Sequence, residues 1–181
     1  SCQTGELYGL PVPPYFPRVL DYNIDLFDRF GEDYPTDGMS WDEIYGLAQR
    51  LSRSEGDAVY HGFVASLTSI LRDNQFSLPV MHPTEDGISD SDRWKQIFDN
   101  YVRFFEIPNN DMGDSLGSYA EPFNEGFAAM YSGQFNLYAP ISEDLNWDIV
   151  SIPIIPEGPA RMGQRGPAYW TVTAQSEHQD E

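Results

Sequence analysis

Strand-like and helix-like patterns alternate along this chain of 181 residues, and the alternation constrains its fold more than any single motif does. Some segments carry apolar residues every three or four positions, while short apolar runs bounded by glycine and proline lie between them. Helices that alternate with strands pack on a sheet in layers, because each helix buries one apolar stripe against it. The pattern predicts a single α/β domain over residues 1–181 and argues against a helical bundle or a β-sandwich.

The clearest helix start lies in the stretch YPTDGMSWDEIYGLAQRL. Ser40 is a good N-cap residue, and Glu43 three positions later completes the pattern of a capping box. Apolar residues then recur at helical spacing, at Trp41, Ile44, Tyr45, Ala48 and Leu51. We expect a helix from Ser40 to about Ser52, preceded by a short helix at about 24–30 that ends at Gly31.

A second apolar stripe predicts a helix that begins near Ser91, and we expect the whole stripe to lie in the core. Its members fall on one helical face, at Trp94, Ile97, Phe98, Tyr101, Val102 and Phe105. The segments SLTSILRDN and 121–127 also have a helical pattern. Strands are expected in the segments AVYHGFV, AAMYSG, WDIVSIPIIP and AYWTVTA.

Charge and cysteine content exclude several classes of function. The chain has 29 acidic and 10 basic side chains, a formal net charge of -19, which would repel nucleic-acid phosphates and anionic lipid headgroups. Cys2 is the only cysteine, so neither an intrachain disulfide nor a multi-thiolate metal site can form. No nucleophile motif accompanies the three histidines, and the sequence predicts no catalytic residue, metal or cofactor.

Aromatic residues make up 14% of the chain, and several are placed in predicted loops or at strand ends. An aromatic face beside polar groups suits a sugar, because a pyranose has an apolar C–H face that stacks on a ring and hydroxyls that need partners. Core packing explains some of these rings equally well. The aromatic content therefore favours a carbohydrate ligand without establishing one.

Several motifs in a fixed order resemble the extracellular solute-binding proteins of family 1. These proteins are lipoprotein receptors of ABC-type sugar importers and are distantly similar to maltose-binding protein. The motifs span nearly the whole chain, and the capped helix is one of them. The others are YGLP, YNIDLFDRFG, FNEGFAAMYSGQF, WDIVSIPIIPEGP and YWTVTAQSEHQDE.

The resemblance implies one lobe, mainly the C-terminal lobe, of a periplasmic-binding-protein-like type II fold. In such receptors the chain crosses between two lobes, and the matching crossings fall near residues 9–18 and 166–174. The sequence therefore resembles the middle segment of a receptor. Cys2 does not match the lipid-anchored cysteine of the family.

By the same resemblance, the protein is expected to capture an extracellular solute, a mono- or oligosaccharide, and to deliver it to membrane permease subunits without chemistry of its own. The family implies an extracellular lipoprotein anchored to the membrane and monomeric when complete, with no cofactor. The runner-up hypothesis is a carbohydrate-processing enzyme domain that binds polysaccharide through the same aromatics. A polyproline ligand in PVPPYFP is a third, weaker interpretation.

The resemblance also implies ligand-binding residues. Phe135 matches the position of a stacking aromatic at the end of the AAMY strand, and Trp170 matches an aromatic of the returning hinge strand. The first crossing and the second cleft loop supply further candidates, namely Tyr15, Phe16, Arg18 and Ser66. Arg18 is expected to donate paired hydrogen bonds to hydroxyls or a carboxylate.

Overall fold

A computed structural model of the chain describes residues 9–12, 17–66, 71, 73–82, 84–110, 120–134, 141–159, 168–173, 175 and 176. Its strands form three sheets. The strands are β1 (Leu10–Val12), β2 (Arg18–Asn23), β3 (Arg53–Glu55), β4 (Ala58–Tyr60), β5 (Val64–Ala65), β6 (Met130–Gln134), β7 (Trp147–Ser151) and β8 (Ala168–Trp170).

The central sheet has four strands in the order β5–β6–β2–β7. Strand β2 pairs antiparallel with both β6 and β7, whereas β5 pairs parallel with β6. Strands β3 and β4 form a hairpin, and β1 pairs antiparallel with β8 in a separate two-stranded ribbon. The ribbon brings the two predicted crossings side by side.

The described helices are α1 (Ile24–Phe30), α2 (Trp41–Leu51), α3 (Ser91–Val102) and α4 (Glu121–Asn124), with a 3₁₀ turn at Arg103–Glu106. The capping box at the start of α2 is formed, because Ser40 Oγ accepts from the Glu43 amide and Glu43 Oε2 accepts from the Ser40 amide. Helix α1 ends at Gly31, which has a left-handed φ of 69°. Both predicted helices are confirmed.

The main core lies between the sheet and helices α2 and α3. Trp41 of α2 is its centre, with ring centroids 4.9 Å from Tyr101, 5.7 Å from Phe63 and 6.0 Å from Phe104 in edge-to-face contacts. The mixed α/β layer architecture is confirmed. Among the described residues, every helix is too short or too polar to span a lipid bilayer.

Two local predictions are wrong. The stripe on α3 is not buried throughout, since Ile97 and Tyr101 are buried, Trp94 is partly exposed and Phe98 is 46% exposed. The core covers only the side of the helix that carries Ile97 and Tyr101.

The second error concerns AVYHGFV, which is not one strand but is divided between β4 and β5. A Cβ atom on Gly62 between them would lie 2.1 Å from the carbonyl oxygen of Ala48, so the chain crosses directly over α2 at this glycine. Most of SLTSILRDN lies outside the described residues.

Candidate functional site

Strand directions bring the ends of four segments to one edge of the central sheet. Strand β2 begins there at Arg18, and its neighbours β6 and β7 end there at Gln134 and Ser151, because both run antiparallel to β2. Strand β5 runs parallel to β6 and ends at the same edge at Ala65. We name these four strand ends the Arg18 edge.

Most of the predicted ligand-binding residues adjoin the Arg18 edge in sequence. Ser66 directly follows Ala65 and is half-buried. Phe135 follows Gln134 in the sequence, and Tyr15 and Phe16 precede β2, but these three aromatics lie outside the described residues. The sheet topology therefore joins sequence positions that are more than a hundred residues apart.

Arg18 itself is buried at this edge. Its Nε donates to Asp73 Oδ2 at 3.1 Å, and its Nη1 donates to the Ser132 carbonyl oxygen at 3.3 Å. The side chains of Arg18 and Asp73 are 4% and 1% exposed, so the ion pair is almost completely removed from water. The guanidinium thus links β2, β6 and the turn at Asp73.

Trp170 lies in the β1–β8 ribbon, opposite Leu10. Its side chain is 73% exposed, and Leu10 and Val172 are also exposed. An exposed indole has a free face on which a sugar ring can stack. Trp170 therefore has the accessibility that a ligand contact requires.

Asp21 lies behind the Arg18 edge on β2, where it pairs with Tyr131 of β6 and Ile149 of β7. Burial raises the pKa of the Asp21 carboxyl to about 7, and a hydrogen bond to its own backbone opposes this only in part. The pKa of Tyr131 is raised mainly by burial and also by the Asp21 charge, while Arg18 lowers it. The interior behind the edge thus contains a carboxyl that titrates near neutral pH.

A groove beside α3 is the competing candidate site. It has a volume of about 780 Å³ and is lined by Leu71, Leu78, Pro79, Val80, Ile88, Ser91, Trp94, Lys95 and Phe98. Its wall is almost wholly apolar, whereas a sugar needs several hydrogen-bonding groups around its hydroxyls. The Arg18 edge is therefore the better candidate for a sugar-like solute.

Sequence reasoning missed Asp73 and the turn that contains it. Asp73, Asn74 and Gln75 are all buried, although the run RDNQF reads as the polar end of a helix. Asn74 builds the turn by donating to the Leu71 and Leu78 carbonyl oxygens and accepting from the Leu78 amide. Four consecutive polar residues, Arg72 to Gln75, directly after the apolar pair Ile70 and Leu71 were the only signal available.

The solved structures that resemble this chain identify its fold. A sugar transporter from Rhizobium etli in an open conformation superposes with a TM-score of 0.65 at 23% identity, over 98% of this chain and 47% of that one. CpMnBP1 with mannotriose bound gives a TM-score of 0.69 at 22% identity, over 97% and 49% of the two chains. The chain has the fold of an ABC solute-binding protein.

The likeness extends to solute-binding proteins with other ligands. UgpB from Mycobacterium tuberculosis, in complex with glycerophosphocholine, gives a TM-score of 0.69 at 17% identity, over 97% of this chain and 45% of that one. The chain thus spans about half the length of the solute-binding proteins it matches, as expected for one lobe of a type II fold. No family model and no curated protein matches the sequence.

Proposed function

We propose that the chain is a middle segment, mainly the C-terminal lobe, of the substrate-binding component of an ABC importer, and that it captures a mono- or oligosaccharide. The observation that carries this proposal is the Arg18 edge, where the topology collects the segments that precede or follow the predicted ligand residues. Solved relatives of the same fold hold mannotriose, mannitol and ribitol, which supports a polyhydroxylated solute.

In this proposal the β1–β8 ribbon is the hinge between the two lobes, and a complete receptor closes around the solute. The protein performs no chemistry of its own and presents the solute to permease subunits at the outer face of the membrane, as a monomeric anchored lipoprotein. Phe135 and Trp170 stack on the solute, Tyr15 or Phe16 adds a further face, and Ser66 contributes a hydroxyl. The ion pair with Asp73 favours a role for Arg18 in shaping the edge over direct contact.

The proposal is tested by mapping amide chemical shifts of the ¹⁵N-labelled chain during titration with mannotriose, ribitol and glycerophosphocholine. We expect mannotriose to shift the amides of residues 18–19, 65–66 and 132–134, whereas shifts with glycerophosphocholine alone would contradict a saccharide solute. Shifts confined to the groove beside α3 would contradict the proposed site. Hydrolysis of mannotriose, followed in the same samples, would favour the carbohydrate-processing enzyme instead.

Alanine substitution of the two stacking candidates tests the residues. In the complete receptor, Phe135→Ala and Trp170→Ala should each weaken solute binding by about 1 to 3 kcal/mol and leave the melting temperature nearly unchanged, because neither ring is expected to support the core. Trp41→Ala is the matched core control, since Trp41 is buried while Trp94 is not. It should lower the stability by about 3 to 5 kcal/mol.

A further inference from the structure

The side chain of Gln75 is buried and binds a distant segment of the chain. Its Nε2 donates to the carbonyl oxygens of Ile155 at 3.0 Å and Pro159 at 2.7 Å. Its Oε1 accepts from the Ile155 amide at 2.7 Å. The side-chain amide thus pairs with Ile155 as a neighbouring strand would, and it forms most of the hydrogen bonds available to it.

The segment 155–159 lies so close to this turn that position 158 has no space for a side chain. A Cβ atom on Gly158 would be 2.6 Å from Gln75 Nε2 and 2.9 Å from the ring of Phe76. The same Phe76 ring lies under the guanidinium of Arg93 on α3, at 4.5 Å from the ring centroid. The turn therefore links the segment 155–159 to the helical layer.

The position of this turn relates it to both crossings. Asp73 binds Arg18 shortly after the chain has left β1, and Gln75 binds residues 155–159 shortly before the chain reaches β8. The chain reaches Asp73 and Gln75 soon after Ser66, which directly follows β5 at the Arg18 edge. One buried turn thus binds both Arg18 at the start of β2 and residues 155–159, the last described residues before β8.

We propose that Gln75 is a positioning residue that sets the orientation of the β1–β8 ribbon relative to the central sheet. The consequence for hinge motion rests on the proposed function, in which this ribbon connects the two lobes. Gln75 acts through the backbone of residues 155–159 and does not contact the solute. Loss of its three hydrogen bonds frees this segment and lets the ribbon take a wider range of orientations.

Distance measurement between spin labels tests the proposal without any solute. Labels are attached at Gln49→Cys on α2 and Val172→Cys after β8, both exposed positions, in a Cys2→Ser background. We expect one narrow distance distribution in this parent and a distribution broader by about twofold in Gln75→Met, which keeps the side-chain length but removes the hydrogen bonds. An unchanged width in Gln75→Met would overturn the proposal.

Asn110→Leu is the matched control, because Asn110 is also a buried amide that forms three hydrogen bonds, with Ser52, Phe63 and Phe104. It should lower stability without broadening the distribution, and equal broadening in both variants would overturn the proposal. Gly158→Ala disturbs the same contact, because its added Cβ atom collides with Gln75. It replaces Gln75→Met if that variant does not fold, and it should broaden the distance distribution in the same way. A failed solute titration would count against the proposed function and leave this measurement unaffected.

Discussion

Arg18 and Asp73 form the buried ion pair at the centre of the candidate site, and each depends on the other for compensation of its charge. Arg18→Met removes the cation and leaves the Asp73 carboxylate in an environment that water hardly reaches. We expect this variant to lose about 3 to 5 kcal/mol of stability in urea unfolding, because the desolvated carboxylate loses the opposite charge of Arg18.

The double variant Arg18→Met/Asp73→Leu should recover most of that loss, since neither charge remains buried. Lys95→Met is the exposed comparison, because Lys95 pairs with Asp99 one turn along α3 at the surface. It should change stability by no more than about 0.5 kcal/mol. A loss of the same size in Arg18→Met and Lys95→Met would contradict the interior role of the pair.

Asp21 gives the chain a pH-dependent stability. The folded pKa of about 7 lies above the ordinary value of 3.8, so the folded state binds the proton more tightly than the unfolded state does. This contribution is fully present below the ordinary pKa and is lost as the pH rises through about 7. Asp21→Asn should therefore be more stable than the parent by about 1 to 3 kcal/mol at pH 8 and equal to it at pH 4.

Urea unfolding across this pH range measures the effect, and the difference between parent and variant is the relevant quantity. Parallel stability profiles for the two proteins would show that the pKa of Asp21 is the same in the folded and unfolded states, which would contradict the raised pKa.

At the scale of elements, local signals predicted structure well wherever the residues that decide it are neighbours in sequence. Helices α1 and α2 have the expected bounds because their caps, Asn23 and Ser40, bond amides three positions later. The buried stripe of α3 and the division of AVYHGFV depend on distant contacts, such as that of Gly62 with Ala48. The Asp73–Arg18 pair joins residues 55 positions apart, and no spacing rule reveals such a partner.

The α2 cap itself can be tested. Ser40→Ala removes the side-chain acceptor of the Glu43 amide and should lower stability by about 1 kcal/mol. Glu43→Gln keeps an acceptor for the Ser40 amide and should have a smaller effect. Thermal unfolding compares the two variants. An equal loss in both would indicate that the charge of Glu43 stabilises this helix start as much as the Ser40 cap does.

At the scale of the whole molecule, the chain supplies one wall of the proposed cleft, since it spans less than half of the solved receptors it matches. Affinity depends on enclosure and on the orientation of the ligand between groups that are already in place. We therefore expect the 181-residue chain to bind its solute with a Kd of about 1 mM or weaker, measured by the same amide titration. Binding as tight as about 1 μM would show that this wall alone forms a sufficient site.

The β1–β8 ribbon also has a consequence for the order in which the chain folds. In this ribbon Leu10 pairs with Trp170, so a ladder of three residue pairs closes a loop of about 160 residues. Closing so long a loop early would lose chain entropy with few contacts in return, whereas the central sheet and α2 can already hold the two ends near each other. The ribbon should therefore form late, after the lobe has condensed, and amide exchange during refolding should protect β2 and β6 before β8.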